Sequence, residues 1–263
     1  MNPENNLPSD RISVVINTYN AADMLELTLK SVQTFDEVVV CDMESTDDTV
    51  AIAERYGCKV VTFPRGDNNI CEVARDFAVH SASSLWVLVV DADEIVPRAL
   101  RDYLYEAIRR NDFGDALATG HKNMFMGRPA TDSPNYHIRF FRQDKAYWPP
   151  IIHAPVKIDG TVTRMPAGRE DLYFIHLDDR AIADRITKLN RYSDNEVPKR
   201  MKRRFGPWKL LFRPGWFFFK TYVLNGGFRD GRRGIIRAYM ESIYQMMLMG
   251  KVIESQEKEK SES

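Results

Sequence analysis

Long apolar runs are missing. Nowhere in the 263 residues do about 18 or more apolar positions follow one another, so no membrane-spanning helix is expected, although 44% of the chain is hydrophobic. The opening residues, MNPENNLPSDR, are polar and lack the basic-then-apolar order of a secretory signal. Cysteine is scarce. Cys41, Cys58 and Cys71 are odd in number and carry no metal-ligand spacing, which excludes a disulfide framework and predicts reduced thiols in a cytosolic protein. No RRM, KH or OB signature points to nucleic acid. No internal repeat and no Gly/Ser-rich linker divides the chain. Net charge is zero, so no whole-chain field selects a partner.

Alternation is what the first hundred residues offer instead. ISVVIN (12–17), EVVVCD (37–42), CKVVTF (58–63) and LWVLVV (85–90) are short apolar, β-branched runs. Between them lie helical patterns: 21–33, with Met24, Leu25, Leu29 and Val32 in helical spacing; 47–57, with Ser45 and Thr46 offering an N-cap and Gly57 a C-cap; and 69–82. Strands alternating with helices predict a doubly wound parallel α/β sheet, whose ligands bind beyond the carboxyl ends of its strands. Asn17-Thr18-Tyr19, Cys41-Asp42 and Asp91-Ala92-Asp93 are therefore expected to meet in one crevice. After a helix over 97–110 the pattern turns mixed, with strands expected at 116–127, 136–143 and 154–165 and a hairpin-like break at Asp159-Gly160. From about 179 the chain is helical. The expected divisions are 1–110, 111–178, a helical extension over 179–253, and a charged, disordered tail at 254–263.

The fourth strand runs straight into Asp91, Asp93 and Glu94. In extended chain alternate residues share a side, so Asp91 and Asp93 face the crevice while Ala92 turns away. Hard cations such as Mn²⁺ or Mg²⁺ are held by one or two carboxylates, with substrate phosphates completing the shell. The plainer alternative is a strand ending in an acidic loop. A nucleotidyltransferase is the alternative enzyme class, and NTYNAAD, with no glycine from which to build a phosphate loop, counts against it.

ISVVINTYNAADMLELTLKSV, EVVVCDMESTDDTVAIAERYG and WVLVVDADE, taken in that order, resemble the nucleotide-sugar-binding half of a family 2 glycosyltransferase with the GT-A fold. KLNRYSDNE and LFRPGWFFFKTYVLNGGFRDGRRGIIRAYMESIYQ are similar to the C-terminal region of its bacterial lipopolysaccharide-core β-glucosyltransferase-like branch. The resemblance covers roughly residues 11–250. It implies that 1–110 binds the donor and that 111–178 forms the acceptor side of the same domain. Thr18 and Tyr19 would line the base and ribose pocket, Asp42 would accept from the base, and Arg75 would approach the diphosphate. Asp91 would reach the ribose and Asp93 would hold the metal, with Asp91, His176 and His153 as further candidate ligands. Lys188 and Tyr192, sharing a helix face with Arg191, would contact phosphate or acceptor. An inverting enzyme needs a carboxylate to take the acceptor proton, and Asp171, ahead of Glu170 and then Asp132, is the candidate. Two positions depart from the pattern: Met43, where many members carry a second acid, and Ala154, where the branch often carries Glu after His153. They are the support for the alternative of a catalytically degenerate, membrane-associated nucleotide-sugar-binding module, against which stand the intact Asp91 and Asp93. The plainer alternative for Arg75 is an ion pair with Glu72 or Asp76, and for Asp42 a helix N-terminal carboxylate.

The zero net charge conceals an asymmetry. Between Pro198 and Arg237 stand twelve Lys or Arg against the single acid Asp230, together with nine aromatic residues. Cations beside Trp and Phe suit an anionic membrane interface, with Trp216, Phe217 and Phe218 as the expected anchor. The alternative is that these aromatics pack inward. The whole predicts a cytoplasmic enzyme, peripheral on the inner face of the cytoplasmic membrane, moving a hexose from a nucleotide sugar, UDP-linked by expectation, to a lipid-linked or lipopolysaccharide-type glycan.

Overall fold

The apolar runs become strands because both faces of each are covered. In the computed structural model, which describes residues 7–66, 71–131, 135–150, 154–177 and 181–262, β1 (Ile12–Thr18), β2 (Glu37–Asp42), β3 (Lys59–Thr62) and β4 (Trp86–Asp91) lie parallel in the order β3-β2-β1-β4. Val14, Ile16, Val40, Leu88 and Val90 pack into one apolar cluster, and Val15, Val39, Val87 and Val89 into another. That period of two, apolar on both sides, is the mark of a sheet with helices on each face. α1 (Ala22–Val32), α2 (Thr49–Arg55) and α4 (Arg98–Arg110) supply the first cluster, and α3 (Glu72–His80) the second. Each fully buried Val or Leu contributes about 1.5–3 kcal/mol.

Helix ends follow local chemistry, with one correction. α2 closes at Gly57 (φ 71°) in a Schellman turn, where Cys58 N–H donates to Ala53 O (3.1 Å) and Gly57 N–H to Glu54 O (2.9 Å). Its start lies three residues beyond the Ser45 and Thr46 expected to cap it. Asp47 instead accepts from the Thr49 amide (3.0 Å), and the Ser45 side chain is drawn to Asp42.

The remaining strands extend the sheet. β5 (Glu94–Ile95), β6 (Ala116–Phe125), β8 (Asn135–Arg142) and β12 (Phe174–His176) complete the order β3-β2-β1-β4-β8-β6-β12-β5. β8 is antiparallel to both β4 and β6, and β12 is antiparallel to β5. Asp159-Gly160 makes no simple hairpin. β9 (Ala146–Tyr147) pairs with β10 (Lys157–Ile158), while β11 (Val162–Arg164) runs parallel to β6.

The chain divides into two units, Met1–Lys122 with Pro134–Leu177, and Asn123–Ser133 with Asp178–Ser263. The second unit thus takes a short segment out of the expected 111–178 half, including β7 (Arg128–Pro129). It holds α5 (Ile182–Arg200), α6 (Pro207–Phe219) and α7 (Arg232–Glu262), with a π-helical turn at Lys220–Leu224. α7 and the preceding turn approach so closely that a Cβ on Gly234 would lie 1.8 Å from Gly227 O. The tail expected to be disordered continues α7 through Glu262, with Lys258 paired to Glu254 (2.9 Å) and Lys260 to Glu257 (2.6 Å).

In the first unit, Gly120 on β6 lets the Tyr173 ring lie against the backbone, since a Cβ there would meet Tyr173 Cδ1 at 2.4 Å. Tyr173 leads into β12 and its hydroxyl bonds that of Tyr136 (2.9 Å). Gly120→Ala should therefore cost about 2 kcal/mol in urea unfolding through overpacking. An unchanged unfolding midpoint would mean that the ring swings aside freely.

Candidate active site

Strand register lines up the polar ends. Thr18 stands opposite Asp42, Asp42 opposite Thr62, and Asn17 opposite Asp91, so the three expected strand ends do form one row. Beyond β4 the chain turns sharply into β5. Glu94 Oε2 accepts from the Asp91 amide (2.9 Å), and Thr28 Oγ1 donates to Ala92 O (2.8 Å). These bonds send the two aspartates to different partners.

Asp91 is gripped by two arginines. Arg139 Nη2 lies 2.6 Å from Oδ2 and Nη1 3.2 Å from Oδ1, while Arg75 Nη2 reaches Oδ1 at 2.9 Å. Burial alone would raise the Asp91 carboxyl, but Arg139 and Arg75 together outweigh it and hold it well below the ordinary carboxylate range. Arg139 rises from the buried face of β8; burial opposes its charge, and Asp91 and Glu94 override that. Its Nη2 is also 3.4 Å from Glu94 Oε1, which lies 3.3 Å from His121 Nε2. The latter pair is close but misaligned, leaving both His121 ring nitrogens without a hydrogen bond among the described residues. His121 stacks on Phe174 (4.9 Å) and meets His137 edge-on (5.2 Å). Burial, reinforced by His121 and Arg139, lowers the pKa of His137.

Arg75 thus pairs with neither Glu72 nor Asp76. It spans from Asp91 to the Trp148 ring (4.7 Å), and Asp76 accepts from the Trp148 amide (2.8 Å). Arg75, Arg139, His137 and Trp148 line a cavity of about 250 Å³. Arg75 Nε and the side-chain amide of Asn17 are buried there and at the adjoining strand end without partners among the described residues, an arrangement that polar groups in folded proteins rarely tolerate without a function.

Asp93 is placed differently. β12 pairs with β5 so that His176 stands opposite Glu94, and Leu177 N–H donates to Asp93 O (2.7 Å). His176 Nε2 thereby comes within 3.0 Å of Asp93 Oδ2. Asp93 Oδ1 has no hydrogen-bond partner among the described residues, where no group of three or more His, Cys, Asp or Glu side chains forms a metal cage by itself.

At the other end of the row Asp42 is buried and nearly saturated. Thr18 Oγ1 (2.9 Å) and Ser45 Oγ (2.6 Å) donate to Oδ1, and Ser45 N–H (2.8 Å) to Oδ2. A carboxylate offers about four lone-pair sites, so one is open among the described residues. Tyr19 carries the Arg65 guanidinium over its ring at 3.7 Å. Asn20 (φ 48°) and Glu44 (φ 60°) adopt left-handed backbone on the two loops that meet here, and such strain gathers at functional sites. Ser45 Oγ accepts from Asn20 N–H and Asn20 Oδ1 from Thr46 N–H, both at 2.8 Å, tying the loops together.

The profile of glycosyl transferase family 2 matches residues 13–158, more than half of the chain and all of this row. The chain belongs to that family. Among curated relatives, an uncharacterised glycosyltransferase of Rickettsia conorii is 27% identical over 96% of this chain and 93% of its own length. The lipopolysaccharide core biosynthesis glycosyltransferase LpsC of Rhizobium meliloti is 25% identical over 94% of this chain and 93% of its own. The mannosyltransferase PcManGT of Pyrobaculum calidifontis, solved with GDP-Man and Mn²⁺, superposes with a TM-score of 0.54 at 15% identity, covering 92% of this chain and 87% of that one. That likeness speaks for the fold, a GT-A-type α/β domain with a mostly parallel sheet and a helical C-terminal segment.

Other expected residues of this glycosyltransferase have contacts of their own. Asp171, on the 3₁₀ turn before β12, is exposed and clamped by Arg169 (2.9 and 2.7 Å), whose hydrogen bond lowers its pKa. Glu170 pairs with Lys122 (2.5 Å). Neither bonds Asp91 or Asp93. Lys188 Nζ lies 5.7 Å from the centre of the Tyr192 ring on α5, in the second unit. His153 and Asp132 lie outside the described residues. The sequence reading missed Arg139 and His121, and gave Glu94 no task. The signal was there in YHIRFF: a lone arginine in an apolar strand demands a buried acid.

Removing Arg139 would leave Asp91 and Glu94 as neighbouring buried carboxylates. Arg139→Met should cost about 3 kcal/mol at neutral pH. Because the folded pKa of Asp91 is depressed, its stabilisation is complete above the unfolded value near 3.9 and is lost as pH falls below it. In the variant Asp91 keeps only Arg75 and Glu94 loses its arginine, so acid relieves part of the loss instead. Urea unfolding across pH should show the gap between the two proteins narrowing in acid; a gap constant with pH would refute the pairing.

Proposed function

We propose that this family 2 glycosyltransferase moves a hexose, with inversion, from a nucleoside diphosphate sugar to a hydroxyl of a lipid-linked or lipopolysaccharide-type glycan, working at a membrane surface. The observation that carries this is the division of labour in Asp91-Ala92-Asp93. Asp91 has its charge met by two arginines and is a fixed acceptor, suited to a ribose hydroxyl. Asp93 keeps one oxygen unbonded and has His176 beside it, which fits a hard cation whose shell is completed by substrate phosphates. Asp93 and His176 would hold Mn²⁺ or Mg²⁺, with His153 a further candidate, and the ion would supply positive charge against the departing diphosphate.

The chain's own groups complete the assignment. Asp42, with one acceptor site to spare, would take a single donor from the base, and UDP is the nucleotide we favour. Thr18 holds Asp42 in place, and Tyr19 offers the pocket an aromatic edge. Arg75 Nε–H, buried and without a partner among the described residues, is a donor suited to a phosphate oxygen. Lys188 and Tyr192 are proposed for phosphate or acceptor contact. The base stays with the Glu170–Asp171 turn, Asp171 first, which must release Arg169 before it can accept a proton. The lipopolysaccharide acceptor draws on the name of the Rhizobium relative. Among the described residues no helix is long and apolar enough to cross a membrane, so attachment would be peripheral.

A panel of nucleotide sugars incubated with Mn²⁺ tests the reading. One UDP-sugar should release UDP, Asp93→Ala should slow release by at least about a hundredfold, and His176→Ala should raise the Mn²⁺ requirement about tenfold or more. Release undiminished in Asp93→Ala would remove the basis of the assignment.

A further inference from the structure

The four tryptophans fall into two classes. Trp86 and Trp148 are buried at 5% and 7% exposure, whereas Trp208 and Trp216 stand 73% and 54% exposed. Both exposed rings lie on α6, a helix in which no residue is fully buried. At about 100° per residue, Trp208, Leu211, Phe212, Trp216 and Phe219 share one stripe, and Leu211 and Phe212 are 67% and 62% exposed. The other side of α6 holds it to α7: Arg213 Nε donates to Gln245 Oε1 (3.1 Å), and Phe218 packs on Tyr239 (4.7 Å). Phe217 and Phe218 are half-buried, so the expected anchor is corrected to a ridge that begins eight residues earlier, at Trp208. A chain that keeps its largest apolar side chains in water along one stripe has a use for them.

Cations border that stripe. Lys209 and Lys220 flank it, and Lys202, Arg203 and Arg204 precede it; none of the five forms an ion pair among the described residues. We propose that α6 is an interfacial docking helix for an anionic lipid bilayer: its aromatic stripe enters the boundary between headgroups and acyl chains, and the lysines and arginines meet lipid phosphate. A second copy of the chain fits worse, because a self-complementary contact would bring these uncompensated cations together. A lipid surface supplies the apolar layer and the negative charge at the required adjacency. The inference rests on the reading above only for its purpose, which is to bring the enzyme to a membrane-borne acceptor.

Flotation of the full chain with vesicles tests it. Binding should rise when phosphatidylglycerol is added to phosphatidylcholine and fall with salt. Tryptophan emission should shift to the blue and be quenched by brominated acyl chains, with Trp86 and Trp148 as constant background. Trp208→Ser/Phe212→Ser/Trp216→Ser should reduce partitioning at least about tenfold. Lys209→Glu/Lys220→Glu, which alters no packed residue, should abolish the preference for phosphatidylglycerol even if the triple variant folds poorly. No flotation of the wild type, or flotation and lipid preference unchanged in both variants, would overturn the proposal. So would a blue shift that grows with protein concentration without vesicles, alongside a dimer in light scattering. Calorimetric titration with UDP and Mn²⁺ on the same preparation reports the donor site separately, so failure of one reading is not mistaken for failure of the other.

Discussion

Everything at the crevice rests on a carboxylate held between two guanidinium groups. An unpaired buried Asp91 would protonate or swing out to water, since isolated charge is costly in a protein interior. With Arg139 on one side and Arg75 on the other it stays ionised and fixed. Arg139 can sit in an apolar strand only because Asp91 and Glu94 receive it, and Glu94 in turn holds the Asp91 amide. The turn is therefore braced from both ends. Bracing is what leaves Asp93 over: with Asp91 and Glu94 occupied internally, the middle acid is the one with an oxygen to spare among the described residues. β5 and β12, pairing just after it, bring His176 to the same place.

The alternation of strands and helices was legible because a parallel sheet covered on both faces must be written as continuous apolar runs, and four of them stand in the first ninety residues. The strand-end acids were legible for the same reason, as polar residues placed where burial stops. Pairings were not. Arg139 meets Asp91 across 48 positions and His121 meets Glu94 across 27, and no local period encodes such a meeting. Ser45 shows the converse error. As a residue shortly before a helical pattern it reads as a cap, but Asp42 three residues earlier takes both its hydroxyl and its backbone N–H as donors. In the tail, composition suggested disorder, whereas Glu–Lys pairs at three and four residues' spacing support continuation of an existing helix, which bears no nucleation cost.

The neutral total conceals a separation of charge that matters for where the protein can work. Residues 198–237 carry twelve cations against one acid, and the rest of the chain balances them with acids. Were both charges felt equally by an anionic bilayer, attraction and repulsion would cancel. They are not, because screening at physiological ionic strength reduces interactions beyond about 8 Å. A surface therefore senses the groups that touch it, and Lys209 and Lys220 beside the Trp208–Phe219 stripe form no ion pair among the described residues. In the proposed docking the acids elsewhere would act as a selector: an approach presenting them to the lipid first would be repelled, and the one presenting α6 would be attracted. Neutrality overall, with cations gathered on one helical segment, gives orientation without the indiscriminate adhesion of a uniformly basic protein.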